Sequence, residues 1–556
     1  MKPTIRQKIE AAVHVVAQEI DPNLNPGELK LDQIVVEEPK EPSHGHLATN
    51  AALTLAKALG QKPRNLADRL VEALKDPEGY LLSAEVAGPG FINFRLSVKW
   101  WALALAKILE AGSDYGRRPP TGQKVQVEYV SANPTGPLHV GHGRGAALGD
   151  SLARILEFTG ATVTREYYVN DAGRQMRILG QSVLARLLEL KGELSEFPDD
   201  HYRGQYIVDL AKDLLADPSL SPPNFATLDQ ASQVAFLSRY AGQRILADIK
   251  KDLLDFKALQ ESWFFESSLY ERGLVDQAIA ALRAKGHILE KDGAVWFLSK
   301  PFGDDKDRVL IKSDGEKTYL AADVAYHQDK FAKGFDLVVD VWGADHHGYI
   351  PRVKAAVEAL GYDRNALAVV LIQLVNLCRG GQQVSMSTRA GEFVTLRAVL
   401  DEVGPDAARF MFLTRSHDSP LDFDLEVAKA QNRDNPVYYV QYVSARIFSL
   451  LDKSPFKPSQ DLDLTLLTAP EETDLIRHLV GFPEAVAAAG RRLDPHGLTI
   501  WLTATARLFH QYYGRHRLLD EEKESLSRAR LALAGAIRQV TAIGLNLLGV
   551  TAPEKM

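Results

Sequence analysis

The stretch "KVQVEYVSANPTGPLHVGHGRGAALGDSLARILEFTGATVTREYYV", residues 124–169, decides the fold. Its first seven residues, 124–130, alternate apolar and polar side chains with the period of two that a strand requires. After a Pro/Gly-rich loop, residues 139–159 read as a helix, Gly160 as its C-terminal stop, and "ATVTREYYV" (161–169) as a second strand. Strand, loop, helix and strand in so short a span form a βαβ unit, which predicts a parallel sheet.

Working outward, "DLVVDVWG" (336–343) and "ALAVVLIQLVNL" (366–377) return to the sheet pattern. Between them and the opening unit, the region to about 300 reads mostly as amphipathic helix with Pro-rich breaks such as "SLSPPN", an insertion in the sheet domain. Residues 1 to about 110 mix helical patterns with short strands, and "AEVAGPGFINFRLS" reads as one strand entered through a Gly-Pro-Gly turn. "AGSDYGRRPPTG" (111–122) reads as a linker, and beyond "GPDAARFMFLTRS" the chain is helical almost to its end, as in a bundle. The expected organisation is an N-terminal α+β domain (1–110), a parallel-sheet domain (120–390) with a helical insertion at about 190–300, a connecting segment (391–431) and an all-α domain (432–556).

At 556 residues the chain is too long for one core, and its 46% hydrophobic and 25% charged residues are ordinary for a globular protein. One cysteine, Cys378, leaves no internal disulfide and no Cys-rich zinc site, and fits a reducing compartment. The N-terminal stretch lacks the apolar core of a signal peptide, and no run of about 18 apolar residues occurs. A cytoplasmic protein with no membrane partner is the expectation. The net charge of −7 argues against a blanket electrostatic grip on nucleic acid, not against a local one.

His139 and His142 lie on one face of a first helical turn, where unpaired N–H groups and a partial positive charge suit phosphate. Gly141 between them leaves room for a flat ring or sugar against the backbone. The residues alone also allow a two-histidine metal site without its third ligand, or an exposed pair with no role. "GADHHG" (343–348) contains an Asp-His-His run also found in metal-dependent phosphoesterases, but the further ordered Asp and His ligands of such sites are missing. No protein-held metal is expected.

"SANPTGPLHVGHGRG" followed by "YYVNDAGRQM" resembles the nucleotide-binding signature of class I aminoacyl-tRNA synthetases, in its arginyl form. "GPGFINF", "TYLAADVAYH", "WGADHHGYIPRVKAA", "VSMSTRAGEFVTL", "NPVYYVQYVSARI" and "LLGVTAPEKM" resemble the same family in the same order along the chain. The resemblance implies a multidomain α/β fold with a class I Rossmann-like parallel-sheet catalytic domain and a C-terminal all-α anticodon-binding bundle. It implies an arginine–tRNA ligase that attacks the α-phosphate of ATP with the arginine carboxylate, releases pyrophosphate, and passes the aminoacyl group to the 2′-hydroxyl of the last adenosine of tRNA(Arg). Magnesium carried by ATP, no zinc, and a monomer complete that picture.

By the same resemblance, His139 and His142 contact phosphates and Gly141 floors the adenosine site. Glu128 and Asp323 bind the guanidinium, with Tyr319 beside its plane and Ser131, Asn133, His346 and His347 near the α-amino end. Two carboxylates suit a planar guanidinium and reject the point charge of lysine. The second signature, "VSMSTRAG" (384–391), lacks both family lysines; Met386, Ser387, Thr388 and Arg389 stand in. Met386 would then belong to the ATP site, Ser387 and Arg389 to the catalytic set, with Arg389 the cation for the leaving group. Phe91 and Asn93 match contacts to the tRNA D-loop. Tyr439, Tyr442, Arg446, either Tyr512 or Tyr513, and Met556 match the anticodon side. Rival readings are a class I enzyme of altered amino-acid choice or weak activity, and a phosphoesterase using the Asp-His-His run.

Overall fold

The computed structural model describes residues 2–24, 27, 29–193, 197–384, 394–456 and 462–556. At its centre is a sheet of β1 (Lys124–Glu128), β2 (Thr162–Val169), β3 (Ser262–Phe265), β4 (Leu337–Gly343) and β5 (Leu367–Ile372). The order is β5-β4-β1-β2-β3 and every neighbouring pair is parallel. The chain leaves β1 toward β2 on one side, while β4 flanks β1 on the other. Such a reversal opens a crevice at the carboxyl ends of the two central strands, where α/β sheets hold ligands. Four of the five β1 residues are buried, including Gln126, so its alternation does not mark a wet face. Gln126 instead donates to Glu166 on β2 at 2.8 Å.

Helix α1 (Val140–Phe158) follows β1 and is buried along most of its length. Small residues let it sit close to the sheet. A β-carbon at Gly145 would touch Ile372 at 3.6 Å, and one at Gly149 would fall 2.2 Å from Cγ of Tyr129. Tyr129 is wholly buried and its hydroxyl donates to the Leu259 carbonyl, so it has nowhere to go. Gly149→Ala is expected to lower unfolding free energy by about 3 kcal/mol through overpacking. A urea midpoint equal to the parent's would contradict this.

Helix α2 (Tyr319–Ala332) precedes β4. The span from 190 to 300 contains helices Gln205–Ala216 and Gln230–Asp255, but also β3 and the antiparallel strands Ile288–Lys291 and Ala294–Phe297. Those strands are only four residues long, too short for periodicity to separate them from the helical background. The apolar run 366–377 likewise divides. It breaks at Gln373–Leu374, and Val375–Arg379 pairs instead with Leu421–Asp424.

In the N-terminal part, Leu81–Ala87 and Phe91–Leu96 are two antiparallel strands, so the Gly-Pro-Gly turn joins strands rather than opening one. They share a sheet with Leu47–Thr49 and Val36–Glu37, backed by helices Lys2–Ile20 and Pro63–Ala73. Towards the C-terminus come α3 (Leu396–Phe412) and α4 (Pro436–Asp452), then helices Pro470–Val480, Phe482–Arg492, His496–Arg515 and Glu524–Leu547. No described helix is long and apolar enough to cross a membrane.

Candidate active site

β1 ends at Glu128, and the backbone then turns through two residues with positive φ, Val130 (72°) and Ser131 (41°). A β-branched side chain there is strained, a cost of roughly 1–3 kcal/mol that only surrounding contacts can hold. The turn sends the Ser131 hydroxyl back to donate to Glu128 at 2.8 Å and to accept from the Tyr168 N–H at 3.1 Å. Further along, carbonyls of Ala132 and Thr135 accept from the hydroxyls of Tyr167 and Tyr206. Asn133 is half-buried, its amide on Gln175.

The loop delivers His139 as the N-cap of α1. Its Nδ1 accepts from the N–H groups of Gly141 (3.1 Å) and His142 (3.4 Å), while Nδ1 of His142 accepts from the His139 N–H at 3.2 Å. Two histidines thus play the parts that Ser/Thr and Glu/Gln play in an ordinary capping box. Their rings stack at 3.6 Å, 18° apart. Because both Nδ1 atoms accept, each ring carries its proton on Nε2, a donor suited to phosphate oxygen. Burial lowers the pKa of His139 and, with His139 beside it, takes His142 down to about 3. A β-carbon at Gly141 would lie 3.0 Å from the His139 ring, so this glycine makes room for the histidine itself.

The sign of the pH effect follows. A histidine whose folded pKa lies below its unfolded value of about 6.5 keeps its full contribution above that pH and loses it as pH falls toward the folded value. NMR titration is expected to leave the His142 ring resonances at their neutral positions down to about pH 4. Movement near pH 6.5 would contradict this assignment.

The flank after residue 393 reaches the same place: the Leu396 N–H donates to the Leu138 carbonyl at 2.7 Å, and Thr395 bridges His139. Met386, Ser387 and Arg389 lie outside the described residues.

At the end of β1, Glu128 is buried. One carboxylate oxygen receives Lys330 (2.5 Å) and the Tyr326 hydroxyl (2.9 Å), the other Ser131. Lys330, fully buried on α2, also donates to Asp340 of β4 at 2.7 Å, and Asp340 meets His327 at 2.9 Å. Burial pushes the Glu128 carboxyl above its usual range against the pull of Lys330. Burial opposes Asp340 as well, but Lys330 and His327 hold it down to about 2. Asp323 accepts from the Tyr349 hydroxyl, and burial raises its pKa. Tyr319, four residues before it at the start of α2, is exposed. His346 and His347 are exposed in the short turn after β4, beside the carboxyl end of β1. Glu266, just after β3, is buried and bonded by Tyr168, and its carboxyl is pushed up by burial and by the facing charges of Asp323 and Asp171.

Lys330, Asp340, His327 and Glu266 were not singled out from sequence. Two signals pointed to the first three: Asp323, His327 and Lys330 share a helix face at i, i+4 and i+7, and Asp340 interrupts an apolar strand. Among the described residues no group of three or more His, Cys, Asp or Glu could hold a metal ion.

Two further surfaces belong to the sequence reading. Phe91 and Asn93 line a cleft with His44, Asn50 and Gly88. On α4, Tyr439 and Tyr442 pack against His510 at 4.6 and 5.8 Å, and Arg446 lies 4.0 Å over the Tyr513 ring. Tyr512 is wholly buried with its hydroxyl on Glu472, so it cannot offer a face to a base; of the two neighbours, only Tyr513 is partly open. Met556 is exposed.

Known proteins share this architecture throughout. The family described as "tRNA synthetases class I (R), catalytic domain" matches residues 104–417, more than half of the chain. The arginyl-tRNA synthetase N-terminal domain matches residues 3–96 and the DALR anticodon-binding domain residues 440–556. The chain is 49% identical over 567 residues to the arginine–tRNA ligase of Desulfosudis oleivorans, covering 100% of both, and 51% identical over 532 residues to that of Nitratidesulfovibrio vulgaris strain DP4, covering 94% and 96%. The solved Thermus thermophilus arginyl-tRNA synthetase superposes with a TM-score of 0.75 at 25% identity, covering 100% of each chain. With the crevice, the histidine cap and the flanking domains in one chain, the protein belongs to the class I arginyl-tRNA synthetases.

Proposed function

We propose that the crevice between β1 and β4 holds arginine over Glu128 and Asp323 and ATP over the His139/His142 cap. The reaction is that of the family: arginine is activated by ATP to arginyl-adenylate and transferred to the 3′-terminal adenosine of tRNA(Arg), with pyrophosphate and AMP released. One arginine carboxylate oxygen bonds to the α-phosphorus as the bond to pyrophosphate breaks. The tRNA hydroxyl then attacks the activated carbonyl, loses its proton, and AMP departs. Such steps need positioned donors more than covalent help from the protein. The observation that carries the assignment is the stacked, helix-capping histidine pair with Nε2–H donors on the loop that follows the buried Glu128 carboxyl.

Ser131, Asn133, Tyr319, His346 and His347 complete the arginine side in this reading, and Gly141 and Met386 the ATP side. Ser387 and Arg389 stand for the missing lysines, and magnesium enters on the ATP phosphates. Phe91, Asn93, Tyr439, Tyr442, Arg446, Tyr513 and Met556 meet tRNA at separated points by stacking and shape, which suits an acidic chain. Residues 1–110, 120–390, 391–431 and 432–556 are assigned as its working units, in a cytoplasmic monomer. Pyrophosphate exchange and tRNA charging across the amino acids, with and without tRNA, test the reading. Arginine-specific charging, with exchange only when tRNA is added, is the expected result. Charging of another amino acid, or metal-dependent phosphoester cleavage without charging, would overturn it.

A further inference from the structure

One turn of α3 ties together four distant segments. The helix is broken at Gly404 (φ 77°, ψ 162°) and resumes with Pro405, Asp406 and, one turn on, Arg409. Arg409 is wholly buried and donates to the carbonyls of Phe256 (3.1 Å) and Leu548 (2.8 Å) and to Asp150 of α1 (2.6 Å). Asp406 repeats the pattern. Its Oδ1 meets Lys257 Nζ at 2.7 Å, and its Oδ2 accepts from the Thr551 N–H (3.1 Å), the Thr551 hydroxyl and Gln441 Nε2 (2.9 Å). The same Gln441 amide reaches the Thr551 carbonyl at 2.9 Å. Gln441 sits on α4 between Tyr439 and Tyr442, and Thr551 is five residues from Met556. On the other side, the Lys257 carbonyl accepts from Arg154 of α1, the helix capped by His139.

We infer that Asp406 is a positioning residue for tRNA, fixing the aromatic stripe of α4 and the C-terminal tail against the catalytic body. This rests on the proposed tRNA contacts at Tyr442 and Met556. The hydrogen bonds of Asp406 touch neither the histidine cap nor Glu128 and Asp323, so its loss acts on tRNA and leaves the small substrates alone. A carboxylate shared by Lys257, Gln441 and Thr551 resists small shifts of α4. A shift of about an ångström is enough to misalign a transferring group.

Steady-state charging of an arginine tRNA transcript tests this. Asp406→Ala is expected to raise KM for tRNA about tenfold, the loss of one or two hydrogen bonds to a charged group. KM for arginine and for ATP stays within about twofold of the parent, because neither site loses a contact. Lys257→Met, which removes a partly exposed partner of Asp406, raises KM for tRNA in the same direction by less, and decides the matter should Asp406→Ala not fold. Tyr442→Ala is measured alongside: if it leaves KM for tRNA unchanged, the tRNA surface itself is wrongly placed. If Tyr442→Ala weakens tRNA while Asp406→Ala and Lys257→Met do not, the positioning role of Asp406 is overturned. An equal rise in KM for all three substrates, which a merely structural role would give, overturns it as well.

Discussion

Asp323→Ala is expected to lower kcat/KM for arginine by about a thousandfold, with KM for ATP nearly unchanged. Removing one member of a desolvated charge pair costs about 3–5 kcal/mol, and each 1.4 kcal/mol is tenfold. The position supports that scale. Asp323 accepts the Tyr349 hydroxyl, and burial raises its pKa above the ordinary carboxylate value. An entering guanidinium favours the ionised carboxylate and draws that pKa back down. Arginine therefore binds less well as pH falls and Asp323 takes up its proton. Glu128 cannot replace it, because one Glu128 oxygen is already held by Lys330 and Tyr326. Asp323→Asn keeps the volume and still loses most of the effect. Wild-type turnover and arginine KM in the alanine variant would refute the assignment.

His142→Ala is expected to lower kcat by about 10²–10³, the scale for removing one aligned donor to developing negative charge. It also removes the acceptor for the His139 N–H, costing about 1 kcal/mol of stability as other cap losses do. His142→Glu separates the two effects. Glutamate at the third helical position supplies the acceptor of an ordinary capping box but sets a negative charge at the proposed phosphate site. Thermal stability should return toward the parent while kcat stays low. Recovery of both together would mean that the histidine serves the helix alone.

The central βαβ unit was legible because its signals agree: strand, turn-rich loop, cap position and Gly stop fall in register with β1, α1 and β2. Periodicity failed where segments were short or continuously apolar. The 81–96 hairpin merged into one strand, and 366–377 hid the break at Gln373. At the site, residue types near the signature could be read from the chain, but their couplings could not. Nothing local says that Val130 and Ser131 take left-handed backbone, or that a β-carbon at Gly141 would press on the His139 ring. Tyr512 and Tyr513 are adjacent and alike in sequence; only the packing of helix His496–Arg515 puts one in the core.

The burial of Lys330 between Glu128 and Asp340 has a consequence for ionic strength. Mobile ions screen charges they can surround, with a reach of about 8 Å at physiological salt, and this ammonium is sealed from them. Raising the salt concentration should leave KM for arginine almost flat while KM for tRNA, whose phosphates shed counterions on binding, climbs. Arginine and tRNA would thus answer differently to the same medium: the small cation is recognised in a private dielectric, the large polyanion in the open one.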